Sequence, residues 1–187
     1  MLGLEAMTKP RLILTLISIT LLSLMLFFFN NNESAEIGDP PLNEEVAELP
    51  IVTTARVQRV IDGDTIIVEF GGLEEKVRLL GVDAPEIDWQ NKENTECYGV
   101  ESKEELERIS LGDTVSLQRD LLNENRDKYG RLLRYVFLPD GTMANELLIE
   151  NGFAEHLSYF PISLNDHFAT VEQTAKSSNA GLWSVCK

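Results

Sequence analysis

Residues 60–86 read VIDGDTIIVEFGGLEEKVRLLGVDAPE, and the rest of the chain can be placed around this stretch. Two runs rich in β-branched and apolar residues, separated by Gly71-Gly72, predict neighbouring strands of a sheet. Four carboxylates and one guanidinium accompany them: Asp62, Asp64, Asp83, Glu86 and Arg78. Carboxylates on rigid strands suit a hard divalent cation, and an arginine beside them suits a phosphate. The stretch therefore predicts metal-assisted chemistry on a phosphodiester.

Short strands continue on both sides of this stretch. The predicted strands cover residues 56–61, 65–70, 75–80, 113–117 and 131–138. The predicted helices cover residues 99–109, 144–150 and 165–177, and residues 87–96 form a long polar loop. Five short strands, a helix after the third and further helices near the end indicate an α+β fold that is mainly β, a small Greek-key barrel.

Composition divides the 187 residues into an N-terminal segment, a linker and one domain. Residues 12–29 contain no charge and would span about 27 Å as a helix, which predicts a transmembrane anchor. The basic residues before them place residues 1–11 in the cytoplasm, while a cleaved signal peptide is the alternative. The acidic residues 30–53 predict a flexible linker, and residues 54–187 the folded domain. That domain is then expected to be extracellular on the membrane, or secreted if the segment is cleaved.

The formal net charge of −15 excludes a protein that attracts nucleic acid through its overall field. A polyanion must therefore bind to a local basic patch or through a bound metal. Residues 126–131, RDKYGR, supply such a patch, with Lys128 for charge and Tyr129 for an aromatic surface. Arg78 and Arg131 are the two guanidiniums suited to stabilise the charge of a phosphodiester transition state.

The carboxylates suggest both a metal ion and a base. Asp62, Asp64 and Asp83 offer the oxygen ligands that Ca²⁺ takes together with main-chain carbonyls and water, although the first two could be ordinary turn residues. Glu86 follows Pro85, which stiffens the chain, and could accept a proton from an attacking water. The alternative is that it is an ordinary loop glutamate.

Three segments in order resemble the signatures of the staphylococcal nuclease family. They are VIDGDT at 60–65, RLLGVDAPE at 78–86 and DKYGR at 127–131. The resemblance extends over residues 54–184 and implies an OB-fold barrel with about three flanking helices. It also implies a Ca²⁺-dependent monomeric enzyme that cleaves DNA and RNA, preferably single-stranded, with little sequence preference and leaves 3′-phosphate ends.

The resemblance assigns roles to individual residues by position. The metal ligands are Asp64, Asp83 and the main-chain carbonyl of Ala84, with Asp62 in support. The catalytic residues are Arg78, Glu86 and Arg131. The substrate-binding residues are Lys128, Tyr129 and Tyr159. The family's best-known member has threonine where Ala84 stands, so no hydroxyl is available there.

Cys97 and Cys186 are the two cysteines of the chain. In an exported domain, two cysteines can form one disulfide, which here would fasten the C-terminal tail to the barrel. The sequence thus predicts a bridge if the domain is exported.

Two other function classes remain compatible with these residues. An inactive barrel of the same kind could hold nucleic acid or protein, and the acidic charge favours that alternative. A membrane-tethered structural domain with a surface Ca²⁺ site would use the carboxylates, yet it needs no pair of arginines. Loss of the carboxylates or arginines is typical of inactive domains, and all of them are present here.

Overall fold

A computed structural model describes residues 52–187 of the chain. The predicted cytoplasmic residues 1–11, the predicted anchor or signal at 12–29 and nearly all of the predicted linker lie outside the described residues. Within residues 52–187, no helix combines the length and the apolar character needed to cross a bilayer.

Residues 52–187 form seven strands and four α-helices. The strands are β1 (Val52–Asp62), β2 (Thr65–Phe70), β3 (Leu73–Leu79), β4 (Val82–Asp83), β5 (Thr114–Gln118), β6 (Leu132–Phe137) and β7 (Glu155–His156). The helices are α1 (Gly99–Ser110), α2 (Ala144–Glu150), α3 (Asn165–Ser178) and α4 (Leu182–Val185). The long loop between β4 and α1 contains one 3₁₀ turn, Lys92–Asn94.

Five of the strands close into a barrel in the order β1-β2-β3-β6-β5, and this confirms the predicted five-stranded barrel with flanking helices. Neighbours are antiparallel except for β3 and β6, which run parallel. The two short strands β4 and β7 form a separate antiparallel pair, with Val82 opposite His156. The parallel pair brings two distant parts of the chain to the same end of the barrel.

The barrel core follows from the alternation of apolar residues along the strands. In β1, Val57 and Val60 both face inward although they are three residues apart, because the register with β2 shifts between Val57 and Arg59. Helix α2 covers the barrel with Leu148 and Ile149, both fully buried. These contacts remove the main apolar surface of the barrel from water, which is the principal stabilising term of such a fold.

A buried asparagine of α2 ties the helix to the barrel end. The Asn145 side chain accepts a hydrogen bond from Val136 N at 2.8 Å and donates to Leu80 O at 2.9 Å and Arg134 O at 3.2 Å. The oxygen and the nitrogen of this buried amide are thereby both hydrogen-bonded. The side chain fixes the end of β3 against β6, close to the residues predicted for the site.

The structure differs from the predicted elements at several points. β1 begins at Val52, so the last two residues of the predicted linker 30–53 belong to the strand, where they pair with β5. The predicted loop 87–96 contains the 3₁₀ turn, which Asn91 caps. The short strands β4 and β7 and helix α4 were not predicted, because segments of two to four residues carry no readable period.

Cys97, just before α1, and Cys186, just after α4, form a disulfide, with their Cα atoms 5.7 Å apart. The bridge therefore joins the C-terminal tail to the start of the first helix. It closes a loop with a sequence separation of 89 residues.

We expect the paired substitution Cys97→Ser and Cys186→Ser to lower the free energy of unfolding by about 4 kcal/mol, because the open chain gains loop entropy when it unfolds. Urea titration of the variant and of the oxidised wild type gives the difference. Reduced wild type serves as the matched control and should unfold with the variant. Equal unfolding midpoints for the variant and the oxidised protein would contradict the prediction.

Candidate active site

Arg78 joins two of the predicted metal carboxylates. The antiparallel register of β2 and β3 places Thr65 opposite Arg78. Arg78 Nη2 lies 2.8 Å from Asp64 Oδ2 and 3.7 Å from Asp83 Oδ1. Its Nη1 donates to Leu79 O at 3.1 Å and to Val82 O at 2.6 Å. The guanidinium is thus held by main chain on one side and faces the carboxylates on the other.

Asp64 is a buried carboxylate, with only 5% of its surface exposed. It accepts hydrogen bonds from Thr65 Oγ1 at 2.8 Å and from Ala84 N at 3.3 Å. Burial, with a smaller contribution from the negative charge of Asp62, raises the pKa of Asp64 to about 7, although the positive charge of Arg78 opposes the shift. A bound cation would favour the ionised form that burial disfavours, so the environment of Asp64 suits a metal ligand.

The Asp62-Gly63-Asp64 segment packs closely against the second acidic segment. A Cβ on Gly63 would lie 2.5 Å from the Ala84 Cβ and 2.7 Å from the Ser102 Cβ, so only glycine fits there. The Asp62 side chain accepts a hydrogen bond from Asp64 N at 3.2 Å. The segment therefore does turn the chain, and it also brings Asp64 against the backbone of Ala84.

Arg131, the residue just before β6, reaches the same end of the barrel. Its main-chain N and its Nε donate to Asp127 at 2.9 and 2.6 Å. Its Nη1 lies 3.5 Å from Thr65 Oγ1, and that hydroxyl also donates to Asp64. The buried Thr65 thus connects the two halves of the site, a role that nothing in its sequence context indicated.

Glu86 lies at the edge of this cluster, where it is exposed to solvent. Partial desolvation is the largest influence and raises the pKa of Glu86. The charges of Asp62, Glu96 and Asp83 raise it further, whereas Arg78 lowers it. A carboxylate whose pKa is raised toward neutrality is a better proton acceptor for a water molecule than an ordinary glutamate.

A cleft of about 640 Å³ opens beside the two arginines. Four cationic residues line it against two acidic ones: Arg78, Arg126, Lys128 and Arg131 against Glu124 and Asp127. Its apolar lining includes Leu79, Leu80, Leu133, Leu157, Phe160 and Ile162. Lys128 Nζ and Arg131 Cζ lie 4.9 and 5.5 Å from the centroid of the Tyr129 ring, which also lines the cleft. The cleft therefore combines positive charge with apolar and aromatic surface, as a nucleotide requires.

The predicted substrate-binding Tyr159 lies outside the cleft lining, with 84% of its surface exposed. Its neighbour Phe160 lines the cleft, and the two rings meet edge to face with centroids 5.2 Å apart. Leu157 also lines the cleft, because its N–H donates to Gly81 O at 2.9 Å beside the β4–β7 pair. Sequence reasoning missed Leu157, since it follows a strand that is only two residues long.

Comparison with known proteins agrees with this geometry. The family model described as "Staphylococcal nuclease homologue" matches residues 76–185, which is more than half of the chain. The chain belongs to the staphylococcal nuclease family. The family resemblance inferred from the three sequence segments is thereby confirmed.

This chain aligns with most of the length of several named nucleases. Endonuclease YncB of Bacillus subtilis is 33% identical over 155 residues, covering 82% of this chain and 71% of that protein. Thermonuclease of Staphylococcus intermedius is 41% identical over 125 residues, covering 65% and 69%. Thermonuclease of Staphylococcus hyicus is 36% identical over 134 residues, covering 70% and 76%.

The donors at this staphylococcal nuclease site are all oxygens. Among residues 52–187, no cluster of three or more His, Cys, Asp or Glu side chains is arranged to hold a metal. A cation bound to Asp64 and Asp83 would take its remaining ligands from main-chain carbonyls and water. Ca²⁺ accepts such a mixed oxygen shell, whereas zinc sites are usually built from histidine and cysteine.

Proposed function

We propose that this chain is a Ca²⁺-dependent nuclease that hydrolyses DNA and RNA with little sequence preference and leaves 3′-phosphate ends. Family membership, together with relatives named endonuclease and thermonuclease, makes it a hydrolase of the nuclease class. The observation that supports the proposal most is the meeting of Arg78, Asp64 and Arg131 around Thr65. A binding module would need the positive charge, but not a buried carboxylate within the same cluster.

Ca²⁺ would be held by the carboxylates of Asp64 and Asp83 and by the Ala84 carbonyl, with Asp62 close by. When bound, the ion would supply positive charge that polarises the scissile phosphate. Burial raises the pKa of Asp64 even with Arg78 beside it, and a bound metal ion would favour the ionised form, which supports its assignment as a ligand.

The chain's own residues account for the remaining chemistry. Glu86 accepts a proton from the water that adds to phosphorus, the bond to the 5′ oxygen breaks, and that oxygen takes up a proton from solvent. Arg78 and Arg131 hold the nonbridging oxygens, whose negative charge grows in the transition state. Main-chain carbonyls hold Arg78 and the Asp127 carboxylate holds Arg131, so both arginines have partners that fix their orientation. The products are a 3′-phosphate and a 5′-hydroxyl.

The charge distribution supports a preference for single strands. The chain is strongly acidic, whereas the cleft lining has four cationic side chains against two acidic ones. A single strand can bend into the cleft with few of its phosphates near acidic surface, but a stiff duplex would bring more of them close. Tyr129, exposed at the cleft, offers a face for an unpaired base.

We also propose that the enzyme acts outside the cell membrane as a monomer. The apolar run at residues 12–29 supports this location, either as an anchor or as a signal that is removed. Fractionation of cells that express the chain, with and without residues 12–29, would test it. Nuclease activity confined to the cytoplasm would contradict the proposed location.

The function is tested with the purified chain, single-stranded DNA or RNA, and either Ca²⁺ or EGTA. We expect cleavage with Ca²⁺, none with EGTA, and products whose 3′ ends a phosphatase must treat before a polymerase extends them. Cleavage that persists in EGTA would contradict the metal dependence. Binding without cleavage in Ca²⁺ would favour the binding-module alternative.

Ca²⁺ affinity is expected to fall about tenfold between pH 8 and pH 6, because Asp64 must lose its proton to bind the ion. With a pKa of about 7, this carboxyl is mostly ionised at pH 8 and mostly protonated at pH 6. Titration calorimetry gives the affinity, and repeating it in buffers of different ionisation enthalpy gives the protons released. An affinity that stays constant from pH 6 to pH 8 would contradict the expectation.

A further inference from the structure

Glu86 is held by a second glutamate ten residues further along the chain. The Glu86 N–H donates to Glu96 Oε2 at 2.9 Å, and the Glu96 N–H donates to Glu86 O at 3.0 Å. Both main-chain polar groups of Glu86 are therefore satisfied by one residue. One of the two hydrogen bonds depends on the side chain of Glu96, and the other does not.

Glu96 is itself anchored to the rigid part of the domain. The next residue, Cys97, is bound through the disulfide to Cys186 in the C-terminal tail. Gly99 N–H donates to Glu96 O at 3.0 Å as α1 begins. A Cβ on Gly99 would lie 2.9 Å from Glu86 O, so the absence of a side chain there lets the two segments approach.

The loop between these two glutamates is organised by its own hydrogen bonds. Asp88 N–H donates to Thr95 Oγ1 at 3.2 Å, and Asp88 Oδ1 accepts from the N–H groups of Gln90 and Asn91 at 2.9 Å each. The loop thus forms a unit whose two ends meet at the Glu86–Glu96 pair. Movement of this unit relative to the barrel would move the Glu86 backbone unless the pair holds it.

We propose that Glu96 is a positioning residue that fixes Glu86 for proton transfer through this reciprocal pair of hydrogen bonds. The inference rests on the proposed function, in which Glu86 is the general base. Proton transfer needs hydrogen-bond distance to the attacking water, and a displacement of about 1 Å can cost about a hundredfold in rate. Glu96 does not touch the reacting atoms, so its effect on catalysis passes through the position of Glu86.

Two substitutions separate this role from a general structural one. Glu96→Ala removes the acceptor for Glu86 N–H, and we expect kcat to fall about tenfold to a hundredfold with KM changed less than about twofold. Glu96→Gln keeps an amide oxygen at that place, so kcat should stay within about threefold of wild type. Glu93→Ala is the matched control, since Glu93 is an exposed glutamate of the same loop and none of the hydrogen bonds among residues 52–187 uses its carboxylate.

Hydrogen exchange supplies a readout that does not require activity. In the full chain, the Glu86 amide should exchange at least about tenfold faster in Glu96→Ala, but not in Glu96→Gln or Glu93→Ala. Core amides of β2 should keep their protection in all variants, which shows that the fold persists. Unchanged exchange of the Glu86 amide in Glu96→Ala would overturn the inference.

The kinetic outcomes distinguish failure of this inference from failure of the proposed function. If Glu86→Gln loses turnover but Glu96→Ala keeps wild-type kcat, Glu96 has no positioning role and the nuclease mechanism stands. If Glu96→Gln is as slow as Glu96→Ala, the charge of Glu96 is what matters, and the inference is overturned. If Glu86→Gln keeps wild-type turnover, the base assignment fails and this inference fails with it.

Discussion

Glu86→Gln is expected to lower kcat for single-stranded DNA by about 10³-fold, within the range that general acid–base catalysis contributes. The amide is nearly isosteric with the carboxylate but cannot accept a proton near neutral pH. The side chain is exposed, and the charges of Asp62, Asp83 and Arg78 act on it. The hydrogen bonds to Glu96 use the main-chain N–H and carbonyl of Glu86, so the substitution leaves them in place. The loss should therefore appear in kcat with KM little changed.

Single-turnover cleavage of an end-labelled oligonucleotide at saturating Ca²⁺ measures this loss directly. Glu93→Gln is the matched control, because it makes the same chemical change at another glutamate of the same loop. Turnover of Glu86→Gln within tenfold of wild type would show that another group, or bulk water, accepts the proton.

Arg131→Lys is expected to lower kcat by about a hundredfold to a thousandfold, comparable to the loss of one oxyanion-stabilising donor. Arg131 uses Nε to hold Asp127, which leaves its terminal nitrogens, one of them 3.5 Å from Thr65 Oγ1, directed toward the site. A lysine keeps the charge but has a single ammonium group, so it cannot hold Asp127 and a phosphate oxygen in the same fixed geometry.

Cleavage rates at several ionic strengths separate the geometric effect from a charge effect. Lysine preserves net charge, so the salt dependence of kcat/KM should match wild type while its value falls. Arg59→Lys is the control, because Arg59 is exposed on β1 and its nearest carboxylate, that of Glu74, is 3.7 Å away. Wild-type turnover in Arg131→Lys would remove this arginine from the catalytic set.

The part of the site that lies on the β2–β3 hairpin was predictable from the sequence. The chain turns at Gly71-Gly72, so β2 and β3 pair antiparallel, and this pairing alone sets Thr65 opposite Arg78. Asp64 and Arg78 therefore had to be neighbours once the hairpin was recognised. The barrel with its flanking helices was also predictable, because alternating β-branched residues and turn glycines mark each strand.

The contacts between segments that are distant in the sequence were harder to predict. The parallel contact of β3 with β6 depends on barrel closure, and no turn residue signals it. The choice between Tyr159 and Phe160 as the cleft-lining ring depends on the pairing of two-residue strands, which no periodic pattern reveals. Glu96 was overlooked for a similar reason, since its partner is a backbone amide ten residues away.

The parallel pairing of β3 with β6 also determines when, during folding, Arg78 and Arg131 come to the same end of the barrel. The β1–β2–β3 meander is local, so it can form early, whereas pairing with β6 requires closure of a loop of about fifty residues. Arg78 and Arg131 cannot meet before that closure. A chain still emerging from the ribosome therefore carries the acidic half of the site without its second guanidinium. In the proposed mechanism, cleavage therefore requires a closed barrel, because a chain in which β6 has not yet paired with β3 lacks the second guanidinium at the site.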